Sequence, residues 1–284
     1  MNYQWYPGHM TKAKRMMQEN IKLIDLIIEL VDARIPLSSR NPDIDELGQN
    51  KARMVLLNKS DLADPVYNKQ WMDYFKGQGA YVLEVNSKTG AGIKGIQGMV
   101  QEACREKLER DRKRGILNRP VRAMVVGIPN VGKSTFINSF AGKACTKTGN
   151  KPGVTKGKQW IRLNKNLELL DTPGILWPKF EDQTVGMHLA FIGSMNDEII
   201  VLEELACDLL DCLGEGYPEA VAGRYGVEGK ASSAELLEGI ARARGCILKG
   251  ENLDLKKAAI ILLEDFRSGR LGRITVEHPL QEST

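Results

Sequence analysis

Short aliphatic runs recur through the first 170 residues, and stretches of helical spacing separate them. Leu26-Ile27-Ile28-Glu29-Leu30-Val31, Met54-Val55-Leu56-Leu57, Tyr81-Val82-Leu83-Glu84-Val85 and Ala123-Met124-Val125-Val126 read as buried strands. Trp160–Leu163 and Leu167–Leu170, joined across Asn164-Lys165-Asn166, read as a hairpin. A basic helix-like stretch over 97–114 leads into the strand at 123. This alternation predicts an α/β fold with a doubly wound, mainly parallel sheet. After residue 178 the period becomes helical. Ile200, Leu202, Leu205, Leu209 and Leu213 share one face of a helix over 197–213, and 232–244 and 254–267 repeat the pattern. Ser232 or Ser233 and Asp254 are the candidate N-caps. The expected organisation is an α/β domain over 1–177, a linker over 178–195 and a small all-helical domain over 196–284.

Composition adds constraints. The 284 residues are 42% hydrophobic and 27% charged, ordinary for a globular chain, and no run of eighteen apolar residues predicts a membrane span. The first residues lack the apolar core of a signal peptide. Five scattered cysteines without a CxxC pair fit a reducing cytoplasm and neither a disulfide framework nor a zinc site. The net charge of +4 hides an asymmetry: residues 1–177 carry 29 Lys/Arg against 17 Asp/Glu, whereas 178–284 carry 11 against 19. The segment 141–165 holds seven basic residues and no acidic one. It reads either as a polyanion footprint or as a solvated loop.

Three motifs carry chemistry. Gly127-Ile128-Pro129-Asn130-Val131-Gly132-Lys133-Ser134 fits GxxxxGK[ST] between a strand and a helix. Its glycines let backbone N–H groups, including those of Asn130, Val131, Gly132 and Thr135, cradle phosphates at a helix N-terminus. Lys133 is placed to reach the β and γ phosphates and Ser134 to ligate Mg²⁺. Asn58-Lys59-Ser60-Asp61 fits NKxD after a strand. The Asp61 carboxylate can accept hydrogen bonds from guanine N1–H and the 2-amino group, donors that adenine lacks. Asn58 is read as support for that loop and the base edge, and Lys59 as packing along the base. Asp171-Thr172-Pro173-Gly174 follows the strand at 167–170; Asp171 is expected to hold Mg²⁺ through water and the Gly174 N–H to bind the γ-phosphate. Thr155, between the phosphate loop and DTPG, is a candidate Mg²⁺ ligand and catalytic residue; the alternative is an ordinary loop threonine. Asn86-Ser87-Lys88 is expected near guanine O6.

These elements resemble the motif set of the Ras-like translation-factor GTPases, in rotated order: NKxD and the Asn86–Lys88 element precede the phosphate loop, Thr155 and DTPG. That is the order of circularly permuted GTPases. Pro7-Gly8-His9-Met10, Asp32-Ala33-Arg34-Ile35-Pro36 and Leu271-Gly272-Arg273-Ile274 resemble the ribosome biogenesis GTPase A (YlqF) family over essentially the whole chain. The resemblance implies GTP/GDP and Mg²⁺ as cofactors, an RNA-contacting helical domain, and late assembly of the large (50S) ribosomal subunit, with hydrolysis stimulated by that particle. It implies neither a membrane nor a DNA partner, and a monomer is the favoured state. The related small-subunit enzymes carry an OB-fold and a zinc domain, for which this chain has neither the room before NKxD nor the cysteines.

Ras-like enzymes often place a water-orienting glutamine just after the DxxG glycine; here that position is Ile175, which cannot hydrogen-bond. The resemblance points to His9 as the catalytic substitute. The alternative for His9 is a helix-start residue contacting RNA. Asn130 matches the K⁺-binding position of potassium-activated GTPases, or is a plain loop asparagine. Two other functions stay open at this level: an RNA-binding scaffold holding GTP with little turnover, and a tRNA-directed GTPase.

Overall fold

The computed structural model describes residues 8–117, 119–146, 159–177, 180, 182–227 and 232–279. Six strands form one sheet: β1 (Leu26–Asp32), β2 (Ala52–Asn58), β3 (Tyr81–Val85), β4 (Val121–Val126), β5 (Gln159–Asn164) and β6 (Leu167–Asp171), in the order β3-β2-β1-β4-β6-β5. All neighbours are parallel except the β5–β6 hairpin. β1 is buried along its whole length, which explains its unbroken apolar run: a central strand covered on both faces has no polar side to show. Glu29 and the terminal Asp32 are its two charged residues, and Arg40 and Arg53 reach the Glu29 carboxylate at 3.3 and 2.9 Å.

Around the sheet lie α1 (Gly8–Asn20), α2 (Asp43–Leu47), α3 (Pro65–Gly77), α4 (Ile93–Ala103), α5 (Arg105–Lys113) and α6 (Lys133–Ala141). The basic stretch expected as one helix over 97–114 is thus two, meeting at Cys104. α3 buries Trp71 and Phe75 over Val31, Val55 and Leu57. It starts with Asp64 as N-cap and Pro65 in its first turn, start signals in the sequence that went unused.

The remaining helices are α7 (Gln183–Phe191), α8 (Leu202–Gly216), α9 (Pro218–Tyr225), α10 (Ser233–Ala243) and α11 (Leu255–Arg267). Ser232 forms a capping box with Glu235, and Asp254 accepts from the Lys257 N–H at 2.9 Å. The expected linker, 178–195, instead contains α7, whose Leu189, Ala190 and Phe191 are fully buried. Its weakly segregated apolar residues reflect contact on several sides. Phe191 meets Phe266 of α11 edge to face, so one continuous core runs from beneath the sheet into the helical bundle. Beyond α11 the chain returns to the α/β domain in extended form, ending beside α3 with His278 stacked on Tyr67. Among the described residues no helix is long and apolar enough to cross a membrane.

Candidate nucleotide-binding site

Because β1, β2, β3, β4 and β6 run parallel, the loops after their C-terminal ends share one edge of the sheet. The rotated motif order therefore changes nothing in space: NKSD follows β2, Asn86–Lys88 follows β3, the phosphate loop joins β4 to α6, and DTPG follows β6.

The phosphate loop is shaped by close approaches. Gly127 (φ +152°) and Gly132 (φ +101°) have left-handed backbones; a Cβ on Gly127 would lie 2.7 Å from the Leu30 carbonyl, and one on Gly132 would lie 2.6 Å from Asn58 Nδ2. Val131 is buried, and Ser134 and Thr135 sit half-exposed in the first turn of α6. Lys133 is buried and donates to the Gly127 and Ile128 carbonyls at 2.9 and 3.0 Å. Burial pushes its ammonium down to about 8, against the pull of Asp171.

Asn58 knits three loops together. Its Nδ2 donates to the Val131 carbonyl (2.8 Å), and its Oδ1 accepts from the Ser87 N–H (3.1 Å) and hydroxyl (2.8 Å). It is 2% exposed, and these bonds make it a brace between the loops. Lys59, in a left-handed conformation (φ +57°), donates to the Asn130 carbonyl (2.9 Å) and pairs with Asp32 (3.0 Å). Asp61 is exposed at this edge. Asn86 Oδ1 accepts from the Lys88 and Thr89 N–H groups, which turns that loop back on itself.

In DTPG, Thr172 donates to the Val125 carbonyl at 2.7 Å and ties β6 to β4. Both Asp171 carboxylate oxygens are fully buried with no hydrogen-bonding partner among the described residues. Burial raises the carboxyl to about 6, although Lys133 opposes the shift. A buried carboxylate with both oxygens open to a ligand, at the edge that also carries the phosphate loop, offers the hard oxygen donors that a cation such as Mg²⁺ requires. Gly174 abuts the phosphate loop: a Cβ there would come within 2.9 Å of the Pro129 backbone and 2.8 Å of Lys133 Nζ. Ile175 is 2% exposed and belongs to the hydrophobic core.

A family model described as 50S ribosome-binding GTPase matches residues 122–217, from β4 through the end of α8. The ribosome biogenesis GTPase A of Priestia megaterium is 49% identical, with 98% of each chain covered; that of Bacillus cereus is 48% identical over 98% of this chain and 95% of its own. The chain belongs to the ribosome biogenesis GTPase A family. A solved structure of GNP-bound YlqF from T. maritima superposes with a TM-score of 0.66 at 30% identity, covering 94% of this chain and 98% of that one. This family member is accordingly a GTP-binding and GTP-hydrolysing enzyme on a circularly permuted P-loop fold.

The GTPase also holds a buried ionic relay that motif reading missed. Asp32, at the end of β1, is fully buried between Lys59 and Arg34, and Arg34 grips it with Nε and Nη2, each at 2.8 Å. Arg34 Nη1 donates to the Phe266 and Arg267 carbonyls, both at 3.2 Å, at the end of α11. Arg267 in turn donates to the Ala190 and Phe191 carbonyls at the end of α7. Just beyond α7, Ser194 donates to the Pro129 carbonyl (2.8 Å), and Asn130 Nδ2 donates to the Gly193 carbonyl (2.6 Å). The relay closes a ring from the guanine-loop lysine through two helix C-termini back to the phosphate loop. The sequence signal was Asp32-Ala33-Arg34 directly after a strand, known only as a family string until the partner carbonyls are seen.

The Asn130 amide nitrogen is bound to the Gly193 carbonyl, and its oxygen, the atom a K⁺ ion would bind, has no hydrogen bond among the described residues. Thr155, Lys147, Lys151, Lys156 and Lys158 lie outside the described residues, as does the side chain of His9.

Proposed function

We propose that this enzyme works in the cytoplasm in late assembly of the large ribosomal subunit, binding GTP with Mg²⁺ and hydrolysing it when docked on the pre-ribosomal particle. The observation that carries the nucleotide half is Asp171: a buried carboxylate whose oxygens find no hydrogen-bonding partner among the described residues, near Lys133, at the edge where NKSD and the phosphate loop meet. Asp171, Ser134 and Thr155 would hold Mg²⁺, which supplies positive charge against the β and γ phosphates. Lys133 adds a second positive charge, the backbone N–H groups of 130–135 and Gly174 orient the phosphates, and Asp61 reads guanine. The α/β part, 1–177, is the GTP-binding domain, and the helical remainder contacts the ribosome.

Ile175 packs inward, so water positioning falls to another group. The Leu176 N–H meets Met10 Sδ at 3.5 Å, and Met10 is fully buried. That contact sets the start of α1, with His9 as the preceding residue, against the segment that follows DTPG. This supports His9 as the group that orients the attacking water once the particle docks. RNA is the favoured contact on the basic half: Trp160 and Arg162 face solvent on the edge strand β5, and with Leu23, Arg122 and Glu168 they line a hollow of about 200 Å³. Co-sedimentation with 30S, 50S and 70S particles in GDP and a GTP analogue, scored with turnover, tests the whole reading. Binding to 50S alone in the analogue state, with stimulated turnover, is expected; bound protein without turnover would favour the GTP-liganded scaffold instead. His9→Ala is expected to keep nucleotide affinity within about twofold and lose at least tenfold in particle-stimulated turnover, the scale of a lost water-positioning group. Unchanged stimulated turnover would exclude that role.

A further inference from the structure

The extended segment after α11 runs along the back of the NKSD turn. Arg273 Nε donates to the Ala63 carbonyl (2.9 Å), and its Nη2 donates to the Ser60 carbonyl (3.0 Å). The Ile274 N–H donates to the Leu62 carbonyl (3.0 Å), and Thr275 Oγ1 accepts from the Asp64 N–H (3.0 Å). Ser60, Leu62, Ala63 and Asp64 are thus all held by three consecutive residues, and they flank Asp61 on both sides. The segment is itself anchored at either end. At Gly269 (φ +77°) a Cβ would strike Leu62 at 2.7 Å. Further on, Trp71 Nε1 donates to the Glu277 carbonyl, and the Glu277 carboxylate accepts from the Leu37 and Ser38 N–H groups. Tyr217, between α8 and α9, bridges the Asp64 carboxylate (3.2 Å) and the Thr275 backbone.

Arg273 is exposed, and no carboxylate pairs with it among the described residues. Its guanidinium spends its planar fork on two carbonyls of one turn, one residue before Asp61 and two after. A fork of fixed geometry fixes the distance between those carbonyls, and with it the direction of the side chain they enclose. We infer that Arg273 is a positioning residue for base selection: the C-terminal strap sets the Asp61 carboxylate, and the preference for guanine is a property of the strap as well as of the NKSD loop. This rests on the reading of Asp61 as the group that accepts from the base.

The test uses the full-length protein with Mg²⁺, titrated with GDP and with IDP, whose hypoxanthine keeps N1–H but lacks the 2-amino group. Arg273→Ala is expected to weaken GDP about tenfold, the scale of lost charge-assisted hydrogen bonds. IDP should weaken much less, so that the GDP-over-IDP preference shrinks severalfold. Arg273→Lys, which keeps the charge without the fork, should fall between. A loss that is equal for GDP and IDP, or no loss at all, would overturn the inference, since a merely structural role scales both nucleotides together. Asp61→Ala serves as the second arm. If it leaves the preference intact, the reading of Asp61 fails and takes the inference with it. If it abolishes the preference while Arg273→Ala keeps it, only the role of the strap fails.

Discussion

Arg34→Ala is expected to cost about 3–5 kcal/mol of unfolding free energy, the range for removing one partner of a buried pair. Both side chains are essentially fully buried, at 1% and 0% exposure. Truncation leaves Asp32 with Lys59 and the backbone N–H of residue 34, and takes a donor from the carbonyls of Phe266 and Arg267. Burial by itself would raise the Asp32 carboxyl; Arg34 and then Lys59 more than offset it and hold the group well below the usual carboxylate range. A depressed folded-state value contributes stability above the unfolded value near 3.8 that is lost on acidification. The Arg34→Ala deficit should therefore be full at pH 7 and narrow below about pH 4. Urea melts at both pH values measure it. GTP affinity should fall as well, because Lys59 holds the Asn130 carbonyl from the same relay.

Asp171→Asn should separate stability from function. In the nucleotide-free protein with EDTA, the wild-type carboxyl is raised from 3.8 to about 6 by burial, against the attraction of Lys133. A raised carboxyl binds its proton more tightly when folded, so it favours folding at low pH and that advantage is lost between about pH 4 and 6. Above pH 6 the ionised, unpartnered group costs up to about 3 kcal/mol at roughly 1.4 kcal/mol per unit. The asparagine variant should then melt higher than the parent at pH 7, with the difference closing near pH 4. Its Mg²⁺-dependent GTP turnover should drop by at least a hundredfold, since a neutral amide does not offset a divalent cation. A variant that is destabilised at pH 7 would argue that the Asp171–Lys133 attraction outweighs the burial cost.

These two positions differ in how readable they were. Asp171 closes β6 within a four-residue motif, and its reading as a Mg²⁺-holding carboxylate needs only local sequence. Arg34 makes its decisive contacts with carbonyls more than two hundred positions away, and no local pattern encodes which carbonyls a guanidinium will meet. Asn58 lies between: its motif and its loop-supporting role are visible in the sequence, but its partners Val131 and Ser87 are not. The helix α7 leaves no periodic signal in the sequence because it is apolar on several sides and so lacks the one-sided stripe that marks a surface helix.

The strands, the capped helices α10 and α11 and the motif loops were determined by sequence alone. Each depends on period, cap or turn chemistry within a few residues, and for these short-range forces spacing is a sufficient description. The order of strands, the merging of both parts into one core, the Lys59–Asp32–Arg34 relay and the strap behind Asp61 were decided only by the tertiary structure. They depend on which buried donors find acceptors once distant segments are packed together. The cost of leaving such a group unpaired is a property of the folded interior and of no segment read by itself.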